Sequence, residues 1–363
     1  MFWFVAAMIE LLGQSADELR ALAAAWDQPA YRGTQIYHAL YVERRFDPAA
    51  MTNLPLELRE RLSSEAAVTL PHIARRYHSA DGTVRYVMEL ASVEGKSATI
   101  ETVFMPGEGR QTICISTQAG CAVDCHFCLT ATLGLIRNLT PGEIIGQVLL
   151  ALHDNQAALV PQTNVVLMGQ GEPLLNYDAT LAALRILLDP AGVGLSPKHL
   201  TLSTSGIVPG IKRLAQEIVR PKLAVSLNAS NDAQRERIMP INRKWPLGVL
   251  LDACRRYPLR PWEHITFEYV LLGGFNDAPE DARRVVRLIS GLRCKVNLIP
   301  WNPGELPYQP PDAARTEAFR RILVEKGVRA FVRYSRGQDI MAACGQLALI
   351  ESAQRDSTVH IST

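Results

Sequence analysis

Gln111-Thr-Ile-Cys114-Ile-Ser-Thr-Gln-Ala-Gly-Cys121-Ala-Val-Asp-Cys125-His-Phe-Cys128 decides how this 363-residue chain is read. Thr112–Ser116 has the apolar, β-branched character of a strand. Three thiols follow it at C-x3-C-x2-C spacing on one short loop. Thiolates are soft ligands that suit an iron–sulfur cluster or zinc. A cubane has four irons, so three protein thiolates leave one iron open for chemistry. A structural zinc site is normally closed by a fourth ligand. His126 is the local candidate, but it lies between two of the cysteines, where the geometry is poor. The spacing therefore favours a cluster held by Cys121, Cys125 and Cys128. Of seven cysteines, Cys254 and Cys294 sit in helix and strand patterns and read as core.

Outward from this loop the pattern alternates. Strands are predicted at Thr112–Ser116, Asn164–Met168, His199–Ser203, Leu223–Leu227, Ile265–Leu271 and Lys295–Ile299. Helices are predicted near 140–153, 177–188, 207–218, 247–256 and 279–290, and a last helix near 312–326 precedes a strand at Ala330–Tyr334. Six β-α repeats predict a parallel sheet covered by helices. A partial (β/α)6 barrel is the expected α/β fold, with an open doubly wound sheet as the alternative. GxGxxG is absent, which weakens a dinucleotide-binding version.

Before the barrel, residues 1–85 read as a small, mainly helical accessory domain. Ser15-Ala-Asp-Glu is a capping box for a helix through Ala25. Further helices are expected at Tyr31 to Tyr41 and Pro55 to Ser64. Strands at Val84–Leu90 and Ala98–Phe104 make 86–110 a connection to a core at 111–350. Residues 351–363 read as a polar tail, and residues 1–7 as an apolar extension too short to span a bilayer. Hydrophobic residues make up 48%, charged residues 20%, and the formal net charge is +2. That composition reads as soluble and globular, with a charge too mild to argue for nucleic acid by itself. Clustered cysteines without a signal peptide suggest the cytoplasm and metal or redox chemistry.

Barrels of this kind gather chemistry at the C-terminal ends of their strands. Polar or glycine-rich motifs stand at four of those ends here. They are Met168-Gly-Gln-Gly171-Glu172-Pro, Ser203-Thr-Ser-Gly206, Ser226-Leu227-Asn228 and Ile299-Pro-Trp-Asn302-Pro. One such motif alone reads as a turn. Four at successive ends read as a ligand-binding rim.

The cysteine spacing at this place resembles the radical S-adenosylmethionine (SAM) superfamily. Together with Tyr31-Arg-Gly-Thr-Gln-Ile-Tyr, Ile100-Glu101-Thr-Val, Gly-Gln-Gly-Glu-Pro-Leu-Leu-Asn, Leu-Ser-Thr-Ser-Gly, Ile-Met-Pro-Ile-Asn, Asn-Leu-Ile-Pro-Trp-Asn-Pro and Arg336-Gly-Gln-Asp-Ile-Met-Ala-Ala-Cys344-Gly-Gln-Leu, it resembles one family closely. That family is the dual-specificity 23S rRNA and tRNA adenine-C2 methyltransferases, and the resemblance covers nearly the whole chain. It implies a 4Fe-4S cluster on Cys121, Cys125 and Cys128, and two SAM molecules per turnover. Cys344 would accept a methyl group from one SAM. The other would be cleaved by one electron to a deoxyadenosyl radical that takes hydrogen from the S-methyl group. The carbon radical would add to adenine carbon 2, which is not nucleophilic enough for polar transfer. Cys114 would resolve the crosslink, leaving a Cys114–Cys344 disulfide for later reduction. Glu101 matches a glutamate regarded as the proton acceptor. Gly171, Glu172, Ser203, Ser226, Leu227, Asn228 and Asn302 match SAM contacts. Gln170 and Asn228 depart from the methionine and histidine common at those places.

The resemblance implies 23S rRNA and tRNA as partners, an external electron donor such as a flavodoxin system, no membrane and, by default, a monomer. A buried reaction centre requires an unstacked adenine. Tyr31, Arg32, Tyr37, Arg44 and Arg45 are candidates to grip such RNA. Basic pairs at Arg75-Arg76, Arg243-Lys244 and Arg255-Arg256 are weaker ones. Two other functions stay open. A sister family methylates carbon 8 of the same ribosomal adenine, and a zinc-stabilised RNA-binding protein would not be catalytic.

Overall fold

The computed structural model describes residues 8–93 and 95–348. Residues 1–7 and the tail expected at 351–363 lie outside them. The chain runs β1 (Ile9–Glu10), α1 (Ala16–Ala25), α2 (Tyr31–Tyr41), α3 (Leu56–Glu65) and β2 (Ala66–Ala67). Three strands follow, β3 (His72–His78), β4 (Val84–Val93) and β5 (Lys96–Met105). The next elements are β6 (Gln111–Cys114), β7 (Gln118–Gly120), β8 (Leu135–Asn138), α4 (Pro141–Asp154), β9 (Thr163–Leu167), α5 (Tyr177–Leu188), β10 (Leu200–Thr204), α6 (Val208–Leu214) and β11 (Lys222–Ser226). The last are α7 (Asp232–Ile238), α8 (Leu247–Arg255), β12 (Ile265–Leu271), α9 (Pro279–Leu288), β13 (Cys294–Pro300), α10 (Ala313–Glu325) and β14 (Ala330–Val332).

Ten strands form one sheet in the order β14-β13-β12-β11-β10-β9-β6-β5-β4-β3. From β6 to β14 every pairing is parallel, while β3, β4 and β5 attach antiparallel to β6. Spatial order follows chain order without reversal, so each crossover adds a strand on the same side. That is the winding of a partial barrel, and it removes the doubly wound alternative, which needs a reversal point. β11 and β12 carry apolar runs because parallel strands are buried on both faces, while β10 and β13 alternate with polar residues that line the barrel interior. One continuous core joins the helices outside the barrel to Leu19, Ile36 and Leu40 of the N-terminal helices.

The capping box forms as read. Ser15 Oγ accepts from the Glu18 amide at 3.3 Å, and Glu18 Oε2 accepts from the Ser15 amide at 2.7 Å. Gly33 lets α2 rest against α1, where a Cβ would meet Leu19 O at 2.3 Å. The sequence reading missed the two-residue strands β1 and β2 and further elements besides. His72–His78 is a strand inside the stretch read as helical, with a mainly exposed pattern that gives no alternation. The β7–β8 hairpin frames the cysteine loop, and α7 is only seven residues long.

Candidate active site

The cysteine loop follows β7, and it and the turn before it are stapled at several points. Thr117 N donates to Gln170 O at 2.9 Å, Cys121 N to Gly134 O at 2.9 Å, and His126 N to Ile238 O at 2.9 Å. Trp301 Nε1 holds Phe127 O at 3.0 Å. The three thiols line one cavity of about 180 Å³ at the strand ends. Burial pushes the Cys121 thiol up to about 12. Burial, then the neighbouring Cys128 and Cys121, pushes Cys125 well above the usual thiol range. Three thiols so placed are costly as bare thiolates and are relieved by binding metal. Among the described residues no three His, Cys, Asp or Glu side chains gather around one ion position. A cubane does not need that, since each thiolate takes a different iron. His126 does not line the cavity and sits 3.5 Å from Asp124, so it is not a fourth ligand here.

Of the rim residues read from the sequence, Gly171, Glu172, Ser203, Ser226, Asn228 and Asn302 line the same cavity. Leu227 does not. It is fully buried, and its amide donates to Glu268 O at 2.9 Å. Glu172 Oε2 accepts from Ser205 N at 2.7 Å and Ser205 Oγ at 2.8 Å, and Oε1 from Leu174 N at 3.1 Å. Burial raises its pKa although these bonds oppose the shift. Gly171 has φ +97°, and a Cβ there would strike the Gln118 amide at 2.7 Å. Asn228 takes the left-handed region at φ 54°, which asparagine tolerates better than most residues. Its Oδ1 accepts from Val270 N at 2.9 Å.

Asn302 reaches the other end of the chain. Its Nδ2 donates to Cys344 O at 3.0 Å, and its Oδ1 accepts from Gln338 Nε2 at 3.0 Å. Gly345 O accepts from Leu129 N at 2.8 Å, and Leu347 O from Thr130 Oγ1 at 2.6 Å. These bonds seat Cys344 over the cysteine loop. A second cavity of about 400 Å³ lies beside the first and contains Cys114. Met168, Glu268, Ile299 and Cys344 belong to both, so Cys344 stands at their junction. Its thiol is accessible from this recess although protein surrounds it. Burial, then Glu268, raises it to about 11. Cys114 is raised by burial and then by Cys344. All seven cysteines are free thiols, so the expected Cys114–Cys344 disulfide is not formed in this structure. Cys254 is core as read, and Cys294 packs half-buried against it.

Glu101 lines neither cavity. It is fully buried and paired with Arg85, and Gln170 Nε2 approaches its Oε2 at 3.4 Å. Sequence reasoning missed Glu268, the lone carboxylate of Ile265–Leu271, whose inward side chains Glu268 and Val270 line the first cavity. It also missed Arg235, since α7 went unread. Arg235 is buried and donates to Leu227 O at 3.1 Å, Ser205 O at 2.6 Å and Ser226 O at 3.0 Å. It thereby ties the ends of β10 and β11. In the N-terminal unit, Tyr37 is buried and its hydroxyl donates to Asp189 at 2.8 Å. It cannot grip RNA. Arg45 is engaged by Glu43 at 2.9 Å and Ala50 O at 2.8 Å.

Comparison with known proteins bears on this geometry directly. Residues 115–288 match the Radical SAM superfamily. Residues 9–68 match the ribosomal RNA large subunit methyltransferase N-terminal domain. A probable dual-specificity RNA methyltransferase RlmN of Koribacter versatilis is 49% identical over 89% of this chain and 97% of its own. The dual-specificity RNA methyltransferase RlmN of Geobacter sulfurreducens is 45% identical over 94% and 92%. The chain belongs to the radical SAM family of RlmN RNA methyltransferases. A crystal structure of a radical SAM methyltransferase from Sphaerobacter thermophilus superposes with TM-score 0.88 at 44% identity, covering 93% of this chain and 99% of that one. RlmN membership makes the chain an enzyme whose cofactors are a 4Fe-4S cluster and SAM, and it sets aside the non-catalytic zinc reading. Among the described residues no helix is long and apolar enough to cross a membrane.

Proposed function

We propose that the chain methylates carbon 2 of adenine in 23S rRNA and tRNA, with Cys344 as methyl carrier. The observation that carries this is the place of Cys344 at the junction of two cavities. One holds the three cluster thiols and the rim, and the other holds Cys114. When bound, the cluster and SAM supply one-electron, hydrogen-abstracting chemistry. The protein's own groups do the rest. Cys121, Cys125 and Cys128 hold the cluster. Gly171, Glu172, Ser203, Ser226, Asn228 and Asn302 bind and orient SAM, and Leu227, buried with its amide on Glu268 and its carbonyl on Arg235, supports Ser226 and Asn228 from behind. Asn302 also fixes the Cys344 loop, so that methyl transfer and attack on adenine share one tethered geometry. The family resemblance assigns Cys114, in the second cavity, to attack the sulfur of the Cys344–RNA link so that a Cys114–Cys344 disulfide forms as the sulfur–carbon bond breaks, and it assigns the proton to Glu101, which lines neither cavity. The finer assignments are an electron donor of flavodoxin type, action as a monomer and a place in the cytoplasm. The N-terminal unit adds RNA contacts through Tyr31 and Arg32 of α2 and Arg44 in the loop after it. The domain boundaries are proposed as read above, 1–85 and 111–350, although β3 within 1–85 belongs to the ten-stranded sheet.

The test is mass spectrometry of nucleosides from unmodified RNA treated with anaerobically reconstituted protein, SAM and reductant. The expected product is 2-methyladenosine, absent with Cys344→Ala. A peak of 8-methyladenosine moves the chain to the sister activity. SAM cleavage without methylated adenine overturns the substrate assignment.

A further inference from the structure

The second cavity runs along the inside of the barrel. On β13 its wall is every second residue, Lys295, Asn297 and Ile299, the spacing of one strand face. Cys344 closes one end. The other end is the mouth where the strands begin. Lys222 is the first residue of β11, Lys295 the second of β13, and Arg110 directly precedes β6. Arg333 reaches in beside β13, its Nε donating to Asn297 Oδ1 at 3.3 Å. Among the described residues Arg110, Lys222 and Lys295 form no ion pair. Among the described residues neither nearby carboxylate forms an ion pair with those three cations. Glu268 accepts from Asn297 Nδ2 at 2.9 Å, and Glu263 sits 3.5 Å from Arg260. Burial and then neighbouring cations hold both lysines below the usual ammonium range. Like charges crowded into one mouth oppose folding unless an anion completes them.

The mouth opens to the surface in an adjoining recess that shares Lys222, Lys295 and Arg333 and adds Trp262 and Phe331. Those rings are 37% and 48% exposed. A cationic groove beside exposed aromatic rings is how proteins hold unpaired nucleic acid strands, phosphates on the cations and bases on the rings. The four steps along the strand from Lys295 to Ile299 span about 13 Å. That leaves room for one extruded nucleotide between the mouth and Cys344.

We propose that this strand-start mouth is the backbone site for RNA. Arg110, Lys222, Lys295 and Arg333 bind phosphates flanking the extruded adenine, and Trp262 and Phe331 stack the neighbouring unpaired bases. The inference rests on the RNA-methyltransferase reading and places the RNA strand at the barrel's lower end, opposite the cluster.

The test measures binding of an unmodified RNA hairpin to the reconstituted protein at several salt concentrations. Variants are Lys222→Ala with Lys295→Ala, Trp262→Ala, and the charge-keeping Lys222→Arg with Lys295→Arg. The double alanine variant should bind roughly tenfold more weakly or worse. Its salt slope should fall by roughly 1.4 for the pair. Trp262→Ala should weaken binding and leave the slope in place, and the arginine pair should restore both. Iron per chain and the melting midpoint report whether each variant is folded. Wild-type affinity and slope in a folded double alanine variant overturn the mouth while leaving the function reading intact. Loss of inorganic phosphate binding with RNA binding kept assigns the cations to a free anion and overturns it too. A wild-type protein that binds no RNA sinks both readings.

Discussion

Glu268 is a single carboxylate facing both cavities beside Cys344. Burial lifts its pKa to about 6, against the opposing hydrogen bond from Asn297. A carboxyl whose folded pKa exceeds its unfolded value is penalised once charged. The penalty is absent near pH 4, grows as the pH rises to about 6, and is complete above that. Glu268→Gln removes the charge and can still accept from Asn297. In protein without SAM, the variant should therefore be more stable than wild type by about 2 kcal/mol at pH 8 and equal to it near pH 4. Urea unfolding at the two pH values decides this, and equal stability at pH 8 would refute the burial argument. The same charge opposes ionisation of the Cys344 thiol. Glu268 therefore costs the fold stability when charged and disfavours the Cys344 thiolate.

At the scale of elements, the antiparallel strands β3 and β4 hold to the barrel through the end of α4. Arg76 grips Asp154 with Nε at 3.0 Å and Nη2 at 2.8 Å, and Tyr86 donates its hydroxyl to the same carboxylate at 2.8 Å. Burial alone would raise Asp154. The bonds from Arg76 and Tyr86 outweigh it and hold the carboxyl below its ordinary value. The stability this supplies is present above the unfolded pKa of about 3.9 and is lost as the pH falls through the folded one. Asp154→Asn should cost about 1 kcal/mol at pH 7, modest because Arg76 is 41% exposed. Its difference from wild type should shrink as the pH falls below 4. A constant difference in denaturant midpoint across that range would point to packing instead of charge. Nothing in the sequence joins Arg76 to Asp154, which are brought together only when the strands lie against α4.

For the whole molecule, the cysteine loop sits on the barrel without carrying its core. Cys121, Cys125 and Cys128 are absent from the continuous core that unites barrel and N-terminal helices. Cys125→Ala should therefore abolish the iron and the brown absorption of reconstituted protein while the far-ultraviolet circular dichroism stays native. Iron retained at the wild-type level would remove Cys125 from the ligand set.

The sequence alone determined the barrel and its metal chemistry, because both are written locally. Apolar runs at β-α spacing specify parallel strands, and three thiols within eight residues reach one cluster whatever the rest of the chain does. Glycine and polar motifs at strand ends marked the rim, since the end of a strand is legible where its apolar run stops. Tertiary structure decided what depends on partners distant in sequence. It turned Tyr37 inward onto Asp189, engaged Glu101 with Arg85, and used the side chain of Asn302 to seat Cys344. It also set Glu268 between two cavities and gathered Arg110, Lys222, Lys295 and Arg333 from four separate segments into one mouth. Each of those residues is unremarkable in its own segment. Their roles come from contacts that exist only after the sheet has wound around its axis.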